Sequence, residues 1–278
     1  MVKIITDSSS LYSVSQAKEL GFDVTPLLVT IDNVTYRENE EICSKEFNDK
    51  VISGSIPTSS QPAVGEVLEL MEKYKDEDTL VVSMADGLSG TYASAVGARA
   101  TIENNQKIKV INTRTLCGPH NHIIDVITKL NNEGSSIDKL IYEINLRSKS
   151  TESFLIPFDF DFLKRGGRLT PIAATIVGLL KIVPALRLVN DGKKLDTFTK
   201  GRTYDITLNK IIAKLIELET NKDYIIYIAH AFNEEKANIA KEKIEKAIEG
   251  IEVRVVTLSP AFITQGGPGC IAIQSVLR

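Results

Sequence analysis

The sequence predicts an α/β protein built from two α/β domains, the first with a mainly parallel sheet and the second with a mixed sheet. Three observations support this fold class. Short β-branched runs alternate with segments of helical spacing in the first half, a polar stretch then breaks the alternation, and an Asp-Gly pair lies between two strand-like runs beyond it. At 278 residues the chain is long enough for two medium-sized domains that each bury a core.

Four apolar runs rich in β-branched residues predict the strands of the first half. They are VKIIT (2–6), VTPLLVTI (24–31), TLVVSM (79–84) and IKVIN (108–112). A one-sided helix after Pro62 is predicted by apolar residues at positions i, i+3, i+4 and i+7, namely Val64, Val67, Leu68 and Met71. Because such alternation is typical of parallel sheets covered by helices, the first half is predicted to be an open α/β domain.

The polar stretch RSKSTESF, residues 147–154, is the predicted domain boundary, and it gives domains of residues 1–150 and 151–278. Beyond it, Asp191 and Gly192 favour a hairpin, because a type I′ turn needs positive φ at both central residues. The elements predicted after the hairpin are a helix at about 203–219, a strand at 224–229, a helix at about 233–248 and a strand at 251–258. The second domain therefore combines α/β alternation with an antiparallel component.

The charge balance gives no reason to expect a nucleic acid partner. The formal net charge is −3, whereas nucleic-acid-binding proteins usually concentrate Lys and Arg on one face. The three cysteines, Cys43, Cys117 and Cys270, form no C-x-x-C pair, which argues against a disulfide framework or a cysteine-rich zinc site. His120 and His122 are two residues apart and would point to different faces of a helix. No metal and no cofactor are therefore expected.

The N-terminal segment MVKIITDSSS has one lysine, and its apolar run is too short for a signal peptide. The most apolar region, residues 169–189, is interrupted by Lys181, Pro184 and Arg187. Its uninterrupted part has only 12 residues, from Leu169 to Leu180, whereas about 20 are needed to cross a bilayer. We therefore expect a cytoplasmic protein without stable membrane insertion.

Three turns of the first half carry several hydroxyl side chains. TDSSS (6–10) follows the first strand, PTSSQP (57–62) precedes a helix, and LSGT (88–91) lies between a strand and a helix. Ser and Thr at helix starts either cap the helix or help to bind an anion, because the first N–H groups of a helix lack partners. Gly90 also removes a side chain where a ligand would have to approach closely. An anionic head group is the hypothesis that unites the three turns.

A serine esterase is the alternative function, with Ser89 as the nucleophile and His230 as the base. The stretch from Gly87 to Thr91 resembles the G-x-S-x-G nucleophile elbow but has Thr in place of the last glycine. Asp7 is at the end of a strand, as in aspartate phosphoryl transferases, yet no second acid follows it in DSSSLY to hold Mg²⁺. The common nucleotide-binding motifs G-x-x-x-x-G-K-[ST] and G-x-G-x-x-G do not occur.

Two glycine-rich loops mark the second half, LKRGGRLTP (163–171) and ITQGGPGCIA (263–272). Arg168 in the first loop either pairs with an anion or lies on the surface with its stem over apolar neighbours. Together with KIITDSSS, PTSSQPAVGE, LSGTYASA, GLLKIVPAL and KGRT, these loops resemble the motifs of the DegV family of bacterial lipid-binding proteins. The motifs follow the family's order from residue 3 to residue 269, so the resemblance spans nearly the whole chain.

The resemblance implies a two-domain protein that encloses a long-chain fatty acid such as palmitate, with the tail buried and the carboxylate near the domain junction. It also implies that the protein is not an enzyme. A separate fatty acid kinase would phosphorylate the presented carboxylate, and the acyl phosphate would enter phospholipid synthesis. The apolar segment PIAATIVGLLKIVPAL (171–186) is expected to line the tail cavity.

By position in these motifs, the carboxylate-binding residues of the family fall on Ser59, Ser89 and Arg168. Gln265 stands where many relatives have histidine, and glutamine can still donate to a carboxylate but cannot become cationic. Arg202 of KGRT matches a basic position near the entrance of the site. Five further residues are candidates for supporting the carboxylate-binding site, namely Ser60, Gly90, Thr91, Arg202 and His230.

Overall fold

The computed structural model of the protein describes residues 1–174 and 182–278. The elements of the first half are β1 (Lys3–Asp7), α1 (Val14–Leu20), β2 (Asp23–Thr25), β3 (Leu28–Ile31), β4 (Val34–Arg37), α2 (Ser44–Ile52), β5 (Thr58–Ser60), α3 (Val64–Lys73), β6 (Thr79–Ser83), α4 (Thr91–Ala100), β7 (Ile108–Asn112), α5 (Gly118–Asn132) and α6 (Ile137–Ser150). Those of the second half are β8 (Glu152–Ile156), α7 (Phe160–Gly166), α8 (Pro171–Ala174), β9 (Val183–Val189), β10 (Lys194–Gly201), α9 (Tyr204–Glu217), β11 (Tyr224–His230), α10 (Glu234–Ala247), β12 (Glu252–Thr257), α11 (Pro260–Gly266) and β13 (Ile271–Leu277).

A four-stranded parallel sheet, in the order β2-β1-β6-β7, forms the centre of the first half. Successive side chains of a strand point to opposite faces, so Ile4 and Val82 pack with α5 and α6. Ile5 and Val81 pack on the other face with α3 and α4. Helices therefore bury both faces, as parallel sheets require, and the predicted parallel sheet is confirmed.

The apolar run at residues 24–31, which was predicted as one strand, is divided between two sheets. Asp23–Thr25 belongs to the parallel sheet, whereas Leu28–Ile31 pairs with β4 and β5 in a three-stranded antiparallel sheet. Pro26 lies at the break and has no N–H to donate to a ladder. This second, smaller sheet brings β5 towards the junction between the two halves of the chain.

A six-stranded mixed sheet, in the order β10-β9-β8-β13-β11-β12, forms the second half. The last of these strands in sequence, β13, pairs antiparallel with both β8 and β11, while β11 and β12 are parallel. One face is covered by α9 and α10, through a core that includes Leu208, Ile244 and Ile273. The predicted mixed sheet and both predicted helices are confirmed, with bounds that differ by one or two residues.

The predicted hairpin joins β9 and β10 through residues 190–193. Asp191 and Gly192 have φ of 55° and 83°, so the positive φ values inferred from the Asp-Gly pair are present. The tip packs closely against the first half, because a Cβ added to Gly87 would lie 2.1 Å from the Cα of Lys193. Backbone contact at this point holds the hairpin against the loop that follows β6.

Candidate ligand-binding site

A cavity of about 580 Å³ lies where the two halves meet. Small-molecule sites usually have volumes of about 300–1,000 Å³. Most of the wall is apolar and includes Leu27, Met84, Leu88, Leu116, Leu155, Leu163, Leu188, Leu195, Leu258, Phe262 and Ala272. The polar side chains in the described lining are Ser59, Ser60, Gln61, Ser89, Ser153, Arg168, Gln265 and Gln274. Four predicted carboxylate-binding residues and two supporting ones, Ser60 and Gly90, are therefore brought to one cavity.

Ser59 and Gln265 meet in the cavity wall. The Nε2 of Gln265 donates to the Oγ of Ser59 at 2.9 Å. Since Ser59 accepts in this bond, its own hydroxyl proton is left for another acceptor. The Oε1 of Gln265 is buried without a partner among the described residues, and it lies 2.2 Å from the place of a Cβ on Gly166. Glycine at position 166 therefore makes room for the Gln265 amide.

The PTSSQP turn was expected to place Ser59 at the start of a helix, but Ser59 does not lie there. It belongs to β5, where it is paired with Val29 of β3. Helix α3 begins only at Val64, and its N-cap residue Ala63 makes no side-chain hydrogen bond. The expectation was wrong because the short edge strand β5 depends on pairing with β3, which local hydroxyl content does not indicate.

Ser89 does lie beside a helix start, as predicted. Its Oγ is 2.8 Å from the Oγ1 of Thr91 and accepts the N–H of Thr91 at 3.3 Å. Helix α4 begins at Thr91 after Gly90, which supplies no side-chain cap. A Cβ on Gly90 would lie 2.4 Å from the Oε1 of Gln61, so glycine lets the LSGT and PTSSQP segments approach each other. Thr91 is buried and contacts Ser89 but is not part of the described lining.

Arg168 is the one charged residue in the described lining, which contains no carboxylate. Its Nε donates to the carbonyl oxygen of Leu88 at 3.0 Å, and a terminal nitrogen donates to the carbonyl oxygen of Gly166. Among the described residues these bonds use two of the five N–H groups of the guanidinium, and the other three have no further acceptor there. A cation without a carboxylate partner in an apolar cavity favours an anionic ligand.

The TDSSS turn does not reach the cavity. The hypothesis that three turns bind one anionic head group is therefore wrong for this turn. Ser8–Ser10 are buried, and the Asp7 carboxylate accepts the N–H groups of Ser9 at 3.0 Å and of Met84 at 2.9 Å. The Oγ of Ser9 lies 2.9 Å from Nδ1 of His120, whose pKa is lowered by burial. Internal hydrogen bonds therefore occupy this turn.

Two supporting residues lie away from the described lining. Arg202 is exposed, at the start of the segment between β10 and α9. His230 is buried at the end of β11, where its Nδ1 accepts the N–H of Asn233 at 3.2 Å and burial lowers its pKa. The hydroxyl of Ser89 is bonded to Thr91 rather than to His230, so the serine esterase alternative has no support.

A second polar group in the wall was missed by sequence reasoning. The Nε2 of Gln274 donates to the Oγ of Ser153 at 3.0 Å, and its Oε1 accepts the N–H of Gly118 at 3.2 Å. Ala272 and Gln274 line the cavity, because alternate residues along β13 share a face, and Cys270 just before the strand continues the same spacing. This period of two is visible in the sequence, but the partners of Gln274 lie more than a hundred positions away.

The segment 171–186 was expected to line the tail cavity, and residues 175–181 of it lie outside the described residues. None of its described residues is in the described lining. Among the described residues, no group of three or more His, Cys, Asp or Glu could hold a metal ion. Within the same residues, every helix is too short or too polar to be a candidate membrane span.

The family model described as "Uncharacterised protein, DegV family" matches residues 1–278. The chain belongs to the DegV family. A DegV domain-containing protein of Listeria innocua, lin2658, is 28% identical over 277 residues, which cover 98% of this chain and 97% of the relative. The resemblance inferred from the ordered motifs is thus confirmed.

Solved DegV structures have the same fold. DegV from Bacillus subtilis, described as a fatty acid binding protein, is 27% identical with a TM-score of 0.85, and the match covers 100% of this chain and 99% of that one. TM841 from Thermotoga maritima, whose structure is described as revealing fatty acid binding function, is 26% identical with a TM-score of 0.81 and the same coverage. The parallel sheet and the mixed sheet of this chain are therefore those of the DegV fold.

Proposed function

We propose that this DegV protein binds a long-chain fatty acid, with the carboxylate at Ser59, Ser89, Arg168 and Gln265 and the tail along the apolar wall. One observation carries the proposal: the described lining combines one cation and no carboxylate with a largely apolar surface. An anionic amphiphile matches both properties, since its charge pairs with Arg168 and its chain replaces water along the leucines. Fatty acid binding by the relatives from B. subtilis and T. maritima supports the same ligand class.

Affinity and orientation would come from different parts of the ligand. Burial of a methylene contributes ~0.8 kcal/mol, so some 15 methylenes contribute roughly 12 kcal/mol before the costs of association. A hydrogen bond to a charged group contributes only about 1.5–3 kcal/mol. The tail therefore supplies most of the affinity, while the four polar residues fix the position of the carboxylate.

The proposed role is to present the carboxylate to a separate fatty acid kinase, so that the protein itself is a carrier and not an enzyme. Ser60 and Gly90, the neighbours of Ser59 and Ser89, are exposed, which supports access to a head group at this end. The acyl phosphate would serve phospholipid synthesis. Because phosphorylation consumes ATP, we place the protein in the cytoplasm.

Extraction of the purified protein with organic solvent, followed by mass spectrometry, tests the ligand class directly. We expect a co-purifying acid of C14 to C18 chain length. Titration of the delipidated protein with palmitate, and with hexadecane as a control of equal chain length, then tests the head group. Repeated extracts without any fatty acid, together with a titration that shows no palmitate binding, would contradict the proposal.

A further inference from the structure

Glu38 is a carboxylate without access to solvent, located one residue after β4 and behind the cavity wall. Its exposed fraction is 0%. Its Oε1 accepts the hydroxyl of Ser8 at 2.5 Å, and its Oε2 accepts the backbone N–H of Ala261 at 2.8 Å. The second bond joins positions that are 223 residues apart in the sequence. Glu38 thus connects the first half of the chain to the start of α11.

Helix α11 lacks a cap of its own. Its N-cap residue Ser259 makes no side-chain cap hydrogen bond. Pro260 has no N–H, so Ala261 carries the first N–H group that needs an acceptor. The Glu38 carboxylate supplies that acceptor and places negative charge at the positive end of the helix.

The same helix carries four residues of the described lining, Ala261, Phe262, Gln265 and Gly266. It has only seven residues, so a change in the direction of its first turn is carried to Gln265 in its last turn. On the other side of Glu38, the Ser8 hydroxyl accepts the N–H of Leu27 at 2.8 Å, and Leu27 also lines the cavity. The carboxylate therefore fixes wall residues from both halves.

We propose that Glu38 is a positioning residue of the ligand site, which by capping α11 holds the Gln265 amide within hydrogen-bond distance of Ser59. The inference deepens the proposed function and rests on it, because Ser59 and Gln265 are assigned there to the carboxylate. Glu38 does not line the cavity and acts only through α11.

The charge of Glu38 provides a signal by which its influence can be followed. Burial, and to a smaller extent the nearby Asp7, raise the pKa of Glu38 to about 7, although hydrogen bonding from Ser8, Ala261 and Ser259 opposes the shift. Cys117 is also near, but burial raises the pKa of its thiol to about 12, so it stays neutral. Protonation near pH 7 would weaken Glu38 as an acceptor for Ala261 and should be sensed at Gln265.

A double-mutant cycle tests the route through Gln265. Glu38→Leu removes the acceptor, and we expect palmitate affinity to fall about three- to tenfold, the equivalent of one hydrogen bond. Glu38→Gln keeps a carbonyl acceptor for Ala261 and should restore most of the affinity. In the Gln265→Ala background, Glu38→Leu should have no further effect. Glu40→Leu, an exposed carboxylate two residues away, is the matched control. Equal losses from Glu38→Leu with and without Gln265 would overturn the inference.

A second measurement needs neither ligand nor a destabilised variant. The side-chain NH₂ signal of Gln265, assigned in ¹⁵N NMR spectra by its loss in Gln265→Ala, is followed from pH 5.5 to 8.5 in the ligand-free protein. We expect it to shift with a midpoint near pH 7 in the wild type and to stay constant in Glu38→Gln. A constant signal in the wild type, or the same shift in both proteins, refutes the positioning role. A wild type that binds no palmitate contradicts the proposed function instead, and this spectrum then still decides whether Glu38 controls Gln265.

Discussion

The side-chain amide of Gln265 donates a hydrogen bond to the Ser59 hydroxyl at 2.9 Å and thereby joins positions that are 206 residues apart in the sequence. Ser59 lies on β5 of the first half and Gln265 on α11 of the second. The bond exists only when the halves are packed together. Because Ser59 accepts in this bond, its hydroxyl proton can be donated to a further acceptor. This pair is therefore the most direct place to test binding of the ligand's head group.

Gln265→His should give palmitate affinity a new dependence on pH. Histidine changes charge between about pH 5 and 8, whereas glutamine does not titrate. A cationic imidazole binds a carboxylate more strongly than a neutral amide does, so the affinity of the variant relative to the wild type should rise up to about tenfold from pH 8 to pH 6. Calorimetric titration of both proteins across this range measures the ratio. A ratio that does not change with pH would remove residue 265 from the head-group site.

Arg168→Met should discriminate between an acid and an alcohol of equal chain length. Loss of a charge-assisted hydrogen bond costs about 1.5–3 kcal/mol, so palmitate affinity should fall tenfold or more. Hexadecanol carries no charge, and its affinity should change less than about threefold. Arg165→Met is the matched control, because Arg165 is exposed and lies over the ring of Phe162 outside the described lining. Equal losses for both ligands would show that Arg168 only packs against the wall.

Gly87→Ala should destabilise the protein, whereas Gly97→Ala should not. A Cβ on Gly87 would meet the Cα of Lys193 at 2.1 Å, and relief of such a clash typically costs about 1–3 kcal/mol. A Cβ on Gly97, inside α4, meets nothing within 4 Å, and alanine is favoured over glycine in a helix by roughly 0.5–1 kcal/mol. Urea unfolding of both variants measures the difference. Equal stabilities would mean that the hairpin tip is not held against the loop after β6.

Glu38→Gln should change how stability depends on pH. The pKa of Glu38 is raised from 4.5 to about 7 in the folded protein, so between these values the unfolded chain loses a proton that the folded protein keeps. The contribution of Glu38 to stability therefore falls as pH rises from about 4.5 to about 7 and is constant beyond, with a total change of about 3 kcal/mol. Urea unfolding at pH 5, 6, 7 and 8 should show wild-type stability falling relative to the variant by most of this amount. Parallel curves would mean that the folded pKa is not raised.

Features encoded by neighbouring residues could be predicted from the sequence. The hairpin at Asp191 and Gly192 is one, because its positive φ values depend on the two residues themselves. The start of α4 beside Ser89 is another, since Gly90 and the apolar stretch that follows are adjacent. Pro26 could also have indicated the division of residues 24–31 between two sheets.

Features that depend on distant partners could not be predicted in this way. A serine that bonds a ligand looks the same in sequence as one that bonds a buried side chain, and the TDSSS turn is of the second kind because Glu38 and His120 fold onto it. The cap that Glu38 provides for α11 is invisible for the same reason. Local patterns did not indicate that Ser59, Ser89, Arg168 and Gln265 lie together. That prediction came from their positions in the ordered motifs of the family.

Of the described strands, β13 is synthesised last, yet it lies inside the six-stranded sheet between β8 and β11. Without residues 271–277, β8 and β11 have no strand between them, because β13 pairs antiparallel with both. Ala272 and Gln274 are then missing from the cavity wall. The cavity is consequently complete only when β13 occupies its place in the sheet, so the proposed ligand can be held only after this last strand has been inserted.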